Sequence, residues 1–466
     1  MQINSKTMEL VKNIILFFIA NFLPKAITFF MIPLYTYCLT TSEYGTVDLI
    51  LTTIQLLLPF LTLQIQDAML RFSIDKSSNQ SDVLTVGIRI VCVGMPVLVI
   101  GCLAGKALGL ISLNPAYLFL FLTIYFMSAL RNIMSYFCRG INKITILTAA
   151  NVLLTVFTVI CNLVFLLIFK WGVYGYLLAM CIGNVIAVAL MFFGARLYCY
   201  IRLNVTNKKT YTDIIYFSIP MIFSALAWWI NTSLDKYILG YFYGTSAVGL
   251  MAVAYKIPSV LSMFGNVVAN AYSISAIKEF DAEDKDGFLG KSYSIINICY
   301  VIICSFLMII NVFAAKILFS KNFFEAWTIV PPLLISAIVS QLSLTCEQYY
   351  IALKNTKIIS ITAIIGAAIN LFANFILIPP YGAYGAAVAT AFSFFIVWII
   401  RYLILKIKLK LNLKHNFVIE CITYCLLLVQ MFLAYYGNNF IFLQIGIFVF
   451  IAFLYACAMF KRRTEK

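Results

Sequence analysis

The chain consists largely of apolar stretches that are each long enough to cross a lipid bilayer. Hydrophobic residues make up 63% of its 466 residues, charged residues only 11%, and the mean hydropathy is +1.00, whereas a soluble domain carries about 25% charged residues. A membrane-spanning helix needs about 20 apolar residues. We therefore expect an all-α membrane protein with about fourteen transmembrane helices, at 11–39, 46–68, 84–105, 115–137, 146–169, 173–195, 213–240, 247–275, 292–314, 327–351, 358–378, 383–405, 416–436 and 440–460.

The side chains that an enzyme or a metal centre would need do not occur in a matching pattern. The 13 cysteines lie scattered, mostly in apolar runs, and the single histidine, His415, stands alone in a basic loop. The predicted outer connections are short and carry no paired carboxylates, which argues against a membrane glycosyltransferase or polymerase. We expect no catalytic residues, no metal site, no cofactor and no enzymatic activity.

The positive charge of the chain indicates its orientation in the membrane. The net charge is +16. If the N-terminus is cytoplasmic, about 25 Lys and Arg residues fall in cytoplasmic segments and about four in outer segments. This distribution predicts that both termini are cytoplasmic, with some of the charge near anionic lipid headgroups. Because orientation accounts for the charge, we expect no nucleic-acid partner.

Two pairs of similar motifs indicate an internal duplication. Thr41–Gly45 matches Thr245–Gly249, and Trp171–Tyr176 matches Tyr381–Ala386, in each case about 200 residues later. The pairs occur in the same order, so we predict two lobes of six helices. Six is an even number of crossings, so an axis along the membrane normal relates the lobes. The predicted divisions are 1–205 and 206–410, followed by two extra helices and a basic tail at 411–466.

Several cations fall within or at the ends of the predicted spans, where charge is costly. A lysine at the centre of a membrane helix costs about 2.5–3.5 kcal/mol. Lys25 lies near the middle of the first span, and no acidic residue occurs between Glu9 and Glu43. Such a residue is retained where it faces a partner or a water-filled cavity. Four further candidates for this role are Lys256, Arg131, Lys236 and Arg71.

These cations also have structural explanations that the sequence leaves open. Lys25 would then pair with a carboxylate of another helix, and Arg131 would extend toward the interface. Arg71 has Asp67 one helical turn earlier, a spacing that suits an ion pair. Asp235 and Lys236 are adjacent, so each needs its own partner.

Two acidic residues in the predicted spans are candidates for ion coupling. Glu347 lies in the tenth span and Asp235 in the seventh. An acid inside a membrane can carry a coupling proton or Na⁺. Either residue is equally a candidate counter-ion for one of the lysines.

A set of short motifs resembles a known family. The N-terminal motifs are Asn21-x-x-Pro24-Lys25, Pro33–Thr36 and Ser42–Gly45, and later ones are Arg71-Phe72, Ala254–Ile257 and Gly382–Ala387. In this order the chain resembles the polysaccharide-biosynthesis (Wzx-type) flippases of the multidrug/oligosaccharidyl-lipid/polysaccharide (MOP) exporter superfamily. The resemblance extends over essentially the whole chain.

The resemblance implies a flippase in the bacterial inner membrane. Its cargo would be an undecaprenyl-diphosphate-linked oligosaccharide, moved to the outer leaflet by alternating access for O-antigen, capsule or exopolysaccharide synthesis. Lys25, Lys256, Arg131, Lys236 and Arg71 would bind the diphosphate in a cationic cavity or at its entrance. Partners would be membrane lipids, a polysaccharide polymerase and a chain-length regulator.

Two relatives in the same superfamily are alternatives to this function. Cation-coupled multidrug exporters as a group rely on an acidic residue in the first helix, where this chain has Lys25. Lipid II flippases share a cationic cavity, so charge does not separate them from the Wzx type.

Overall fold

The protein is helical throughout the part of the chain that the structure describes. A computed structural model describes residues 24–75, 78–109, 114–202, 208–265, 268, 288–352, 356–408 and 417–464, and these ranges contain no β-strand. Nine helices in them are long and apolar enough to cross a membrane, and Ile419–Tyr435 and Ile441–Cys457 are shorter apolar helices. The predicted all-α membrane fold is confirmed.

Residue contacts divide the chain into two units. Unit 1 comprises Met1–Leu39 and Thr46–Trp229, and unit 2 comprises Thr40–Gly45 and Ile230–Lys466. The predicted lobe boundaries at 205 and 410 stay predictions. Helical residues 24–30 are followed by α1 Ile32–Cys38, α2 Thr41–Leu61, α3 Gln66–Ile74, α4 Gln80–Ala107, α5 Pro115–Gly140, α6 Ile144–Asn162, a π-helical turn Leu163–Ile168, α7 Gly172–Gly194 and a short 3₁₀ turn Leu197–Tyr200.

The core of unit 1 forms where α3, α4, α5 and α7 meet. Met69, Val86, Phe137 and Met191 are all fully buried there. Small residues bring the backbones close: a Cβ added at Gly87 would lie 2.9 Å from the side chains of Met69 and Ile133. Helices in lipid associate through this kind of close contact, because burial away from lipid brings no hydrophobic gain.

The later helices are longer, and two of them contain a sharp break. They are α8 Lys208–Ala254, helical residues 256–265, α9 Phe288–Leu318, a 3₁₀ turn Lys321–Thr328, α10 Val330–Ala352, α11 Thr356–Lys408, α12 Phe417–Tyr435, a 3₁₀ turn Gly437–Phe440 and α13 Ile441–Thr464. Gly244 in α8 has φ 78° and Gly382 in α11 has φ 57°. Glycine adopts this left-handed backbone without strain, so each segment can supply two successive spans.

The structure shifts some boundaries that the sequence suggested. Helix α2 begins at Thr41, not at residue 46, because Thr40 and Glu43 form a capping box. The Thr40 backbone N–H donates to Glu43 Oε2 at 2.8 Å, and the Glu43 backbone N–H donates to Thr40 Oγ1 at 3.2 Å. The predicted eighth span, 247–275, is interrupted by a turn at Tyr255. Arg401 lies inside α11, within the predicted twelfth span, 383–405.

The last two helices belong to unit 2, and the first of them, α12, is joined to α9 by polar contacts. Asn297 donates to Glu420 Oε1 at 3.0 Å and accepts from the Tyr424 hydroxyl at 2.6 Å. Ser305 donates to Gln430 Oε1 at 2.7 Å. Such hydrogen bonds fix the register of helices in a medium that offers no competing partners.

The two copies of the first repeat motif contact each other within unit 2. Ser42 Oγ and Thr245 Oγ1 are 2.7 Å apart. Gly45 and Gly249 are both buried. A Cβ added at Gly45 would overlap the Thr245 carbonyl oxygen, and a Cβ added at Gly249 would overlap the Thr41 carbonyl oxygen. The contact is reciprocal, because each glycine lies against the backbone of the other motif. We call Thr41–Gly45 and Thr245–Gly249 together the glycine contact.

Candidate functional site

Lys25 lies on the first described helical stretch, 24–30, and its side chain is exposed. The apolar run around it makes this segment helical. No carboxylate of the described residues lies within ion-pair distance of its amine. Its position therefore agrees with a free cationic group, and its predicted role in binding stays a prediction.

Arg131 on α5 is held by an amide and not by an acid. Its Nε donates to Asn184 Oδ1 at 3.0 Å, and Ser128 Oγ donates to the same oxygen at 3.4 Å. The Asn184 amide nitrogen donates to the Met180 carbonyl oxygen at 2.8 Å. Asn184 on α7 is buried, so this set of contacts fixes both the amide and the arginine. Sequence reasoning missed Asn184, which carries no charge to single it out.

Asp235, Lys236 and Lys256 lie near the break that follows α8. Asp235 is almost fully buried and accepts a hydrogen bond from the Tyr255 hydroxyl at 3.0 Å. The Lys236 amine lies over the Tyr255 ring, 5.9 Å from its centroid. Lys256 follows Tyr255 directly and is half-buried. Tyr255 thus brings the acid and one of the predicted cations together.

Glu347 on α10 is paired with Arg401 on α11, which was not among the predicted site residues. Arg401 Nη1 donates to Glu347 Oε2 at 3.0 Å, and the side chains are 5% and 25% exposed. Arg401 also donates through Nε to Thr362 Oγ1 at 2.9 Å and through Nη1 to the Ser343 hydroxyl and carbonyl, each at 3.1 Å. A signal was present in the sequence, because the apolar run continues beyond Arg401 as Tyr402–Leu405. Whether Glu347 takes part in coupling stays a prediction.

Arg71 on α3 contacts an aromatic ring. Its guanidinium lies 4.9 Å from the centroid of the Phe217 ring, and Asp67 does not pair with it in the described chain. A cation–π contact leaves the charge of Arg71 unneutralised. In α3, which does not span the membrane, burial raises the pKa of the Asp67 carboxyl and a hydrogen bond with Gln64 opposes the rise.

The candidate residues are divided between the two units. Arg131 and Arg71 belong to unit 1, and Lys236, Lys256 and Glu347 belong to unit 2. Within the described ranges, no three His, Cys, Asp or Glu residues are arranged to hold a metal ion. Each unit therefore contributes cations of the kind that bind an anion through charge-assisted hydrogen bonds.

The helices and their embedded charges define a multi-pass membrane protein with a transporter fold. The structure is similar to the lipid II flippase MurJ in its inward closed conformation, with 16% identity and a TM-score of 0.73 over 97% of this chain and 100% of that chain. It is similar to an inward-facing multidrug resistance MATE family transporter of the MOP superfamily, with 13% identity and a TM-score of 0.67 over 86% and 96% of the two chains.

A third similar structure is a MOP superfamily transporter from Pyrococcus furiosus, described as having a binding pocket of reverse polarity. It has 13% identity and a TM-score of 0.60 over 84% of this chain and 95% of that chain. At these identities the similarity shows the fold alone. A comparison with curated proteins gave no match.

The family is shown by sequence. The model of the polysaccharide biosynthesis protein family matches residues 10–274, more than half of the chain. The chain belongs to this family, and the predicted resemblance is confirmed.

Proposed function

We propose that the protein is a flippase that carries an undecaprenyl-diphosphate-linked oligosaccharide from the cytoplasmic to the outer leaflet of the bacterial inner membrane. The family supports a role in polysaccharide synthesis, and the fold supports transport. The glycan and the diphosphate are too polar to cross hydrocarbon without a protein. Both termini would be cytoplasmic, as the distribution of Lys and Arg predicts.

The observation that carries this proposal is the kind of charge that the membrane helices present. Arg131 is held by a neutral amide, and Lys25 has no acidic partner in the described chain. By contrast, Glu347 is neutralised by Arg401. Surplus positive charge on these helices attracts a diphosphate and repels a cationic drug. Lys25, Lys256, Lys236, Arg131 and Arg71 would supply the contacts to the phosphates.

Deleting the gene and analysing the lipid-linked glycans tests the proposal. We expect the cargo to accumulate in the inner leaflet and surface polysaccharide to disappear, and a plasmid copy should restore export. Unchanged surface polysaccharide and no accumulated intermediate would exclude the function. If lipid II accumulates instead, the alternative cargo of the superfamily replaces the one proposed here.

A further inference from the structure

Helix α6 and the π-helical turn after it expose one apolar face over the second half of their span. This span, Ile144–Ile168, has only 17% of its apolar window buried, the smallest share among the nine candidate spans of the described chain. The exposed side chains recur at helical spacing, so they form one continuous strip. They are Phe157, Ile160, Leu163, Leu167 and Ile168, which we call the apolar strip. In a bilayer such a strip faces lipid acyl chains.

The apolar strip ends at a stack of three aromatic rings. The Trp171 ring lies nearly parallel to the Phe165 ring, with the centroids 5.2 Å apart and an angle of 23° between the planes. It is also nearly parallel to the Phe169 ring, at 4.9 Å and 19°. Phe169 and Trp171 are 51% and 43% exposed, so the stack is preformed and keeps an open surface. We call these three side chains the ring platform.

The backbone holds the ring platform in place. The Trp171 N–H donates to the Phe165 carbonyl oxygen in the π-helical turn at 3.0 Å. The residues on both sides of Trp171 are left-handed, Lys170 with φ 53° and Gly172 with φ 54°. Glycine adopts this conformation without strain, whereas lysine does not. The chain therefore keeps an exposed lysine beside the platform, at a position where glycine would fit the backbone better.

We propose that the apolar strip, the ring platform and Lys170 form a binding site for one anionic phospholipid. No acidic residue occurs between Asp82 and Asp213, so the helices on either side of Lys170 contain no carboxylate to neutralise it. An acyl chain lies along the strip, and the Trp171 ring lies at the depth of the headgroup, where tryptophan is enriched. The Lys170 ammonium binds the phosphate. None of these residues is assigned to the cargo.

The predicted duplication gives an internal comparison for this site. The corresponding turn of unit 2 has Tyr381 in place of Trp171 and Pro380 in place of Lys170. It shares the left-handed glycine, since Gly382 has φ 57°, and Tyr381 is 63% exposed. An exposed aromatic ring is thus common to both turns, but only the turn of unit 1 places a cation beside it. Selection of an anionic headgroup should therefore depend on Lys170.

Fluorescence quenching of the purified full chain in nanodiscs tests this inference. The bilayers contain phosphatidylcholine and phosphatidylglycerol, with bromine on the acyl chains of one lipid at a time. Subtracting the signal of Trp171→Phe from that of the wild type isolates the contribution of Trp171. We expect brominated phosphatidylglycerol to quench Trp171 with about fivefold higher apparent affinity than brominated phosphatidylcholine, the effect of one lysine near an anionic headgroup. Iodide in the water should quench Trp171 only weakly.

Substitutions at Lys170 separate binding from a structural role. Lys170→Gln removes the charge and should abolish the preference for phosphatidylglycerol, whereas Lys170→Arg should retain it. Lys170→Gly also removes the charge but fits the left-handed backbone, so it should lose the preference while melting at or above the wild-type temperature. Lys106→Gln is the matched control: it removes a charge from the exposed last turn of α4, in another predicted outer connection, and should keep the preference.

The inference is overturned if iodide quenches Trp171 strongly and neither brominated lipid does, because the ring platform then faces water. It is also wrong if the two brominated lipids quench Trp171 of the wild type equally, since no headgroup is then selected. If Lys106→Gln removes the preference as fully as Lys170→Gln, the general charge of the protein is responsible and not a site at Lys170. None of these outcomes involves the cargo, so each leaves the proposed function unchanged.

Discussion

The glycine contact in unit 2 gives the most direct stability prediction. Gly45 and Gly249 allow the backbones of their motifs to approach so closely that a Cβ on Gly45 would overlap the Thr245 carbonyl oxygen and lie 2.8 Å from the Gly249 nitrogen. The obstructing atoms are backbone atoms, which cannot rotate away as a side chain does. Gly45→Ala therefore forces the two motifs apart.

The size of the effect follows from two opposing terms. Overpacking of a close contact costs about 1–3 kcal/mol, and backbone overlap favours the upper end. Replacing a helical glycine by alanine returns about 1 kcal/mol of helix propensity. The net destabilisation of Gly45→Ala is about 2 kcal/mol, or a drop of roughly 4 °C in melting temperature for a large domain. Gly249→Ala should behave alike, because the contact is reciprocal.

A suitable assay is thermal unfolding of the detergent-solubilised protein, followed by size-exclusion chromatography. Gly101→Ala is the matched control: Gly101 lies inside α4, and a Cβ there would meet nothing within 4 Å. We expect this variant to melt at or above the wild-type temperature. The double variant Gly45→Ala/Gly249→Ala should lose less than the sum of the single losses, since the first substitution already separates the motifs. Equal melting temperatures for Gly45→Ala and Gly101→Ala would refute the reasoning.

Three further predictions follow from single side chains. Lys25→Ala should insert normally but reduce export of the glycan at least about tenfold, because a charge-assisted contact is lost, whereas Lys25→Arg should retain export. Normal surface polysaccharide with Lys25→Ala would contradict a binding role. Arg401→Gln should destabilise the protein by about 3 kcal/mol, since it leaves Glu347 half-buried without a counter-charge, and Glu347→Gln should cost less in the same melting assay. The pKa of the Asp67 carboxyl is raised from its ordinary value of 3.8. The stability that the protonated carboxyl contributes is therefore lost as the pH rises through the folded-state pKa. Asp67→Asn should flatten that part of the profile of melting temperature against pH.

The helical architecture was predictable because it depends on local properties of the chain. Apolar stretches of bilayer length make helices in lipid, where every backbone polar group needs an internal partner. The breaks were also visible, because Gly244 directly precedes the motif Thr245–Gly249 and Gly382 lies within the motif Tyr381–Ala386. The start of α2 was placed a few residues late, because Thr40 and Glu43 extend the helix by capping beyond the apolar run.

The partners of the charged residues were not predictable, because they depend on which helices become neighbours. Arg401 and Glu347 are 54 residues apart in the sequence, and their pairing requires α10 and α11 to pack side by side. Arg71 satisfied the spacing rule for a pair with Asp67, yet its guanidinium lies over Phe217, which comes 146 residues later in the chain. Spacing along a helix identifies possible pairs, and tertiary packing chooses among them.

Half-buried Arg131 and buried Arg401 each join two helices of their own unit, through acceptors of different charge. Under the predicted duplication, α5 and α7 correspond to α10 and the second half of α11. Each pair of helices is joined through an arginine, but Arg131 lies on the first member of its pair and Arg401 on the second. An arginine paired with a carboxylate forms a contact without net charge, whereas one held by an amide leaves a net positive charge at the contact. Replacing one acceptor, Asn184 or Glu347, by the other type would therefore exchange these properties, so the acceptor and not the arginine determines the net charge of each helix contact.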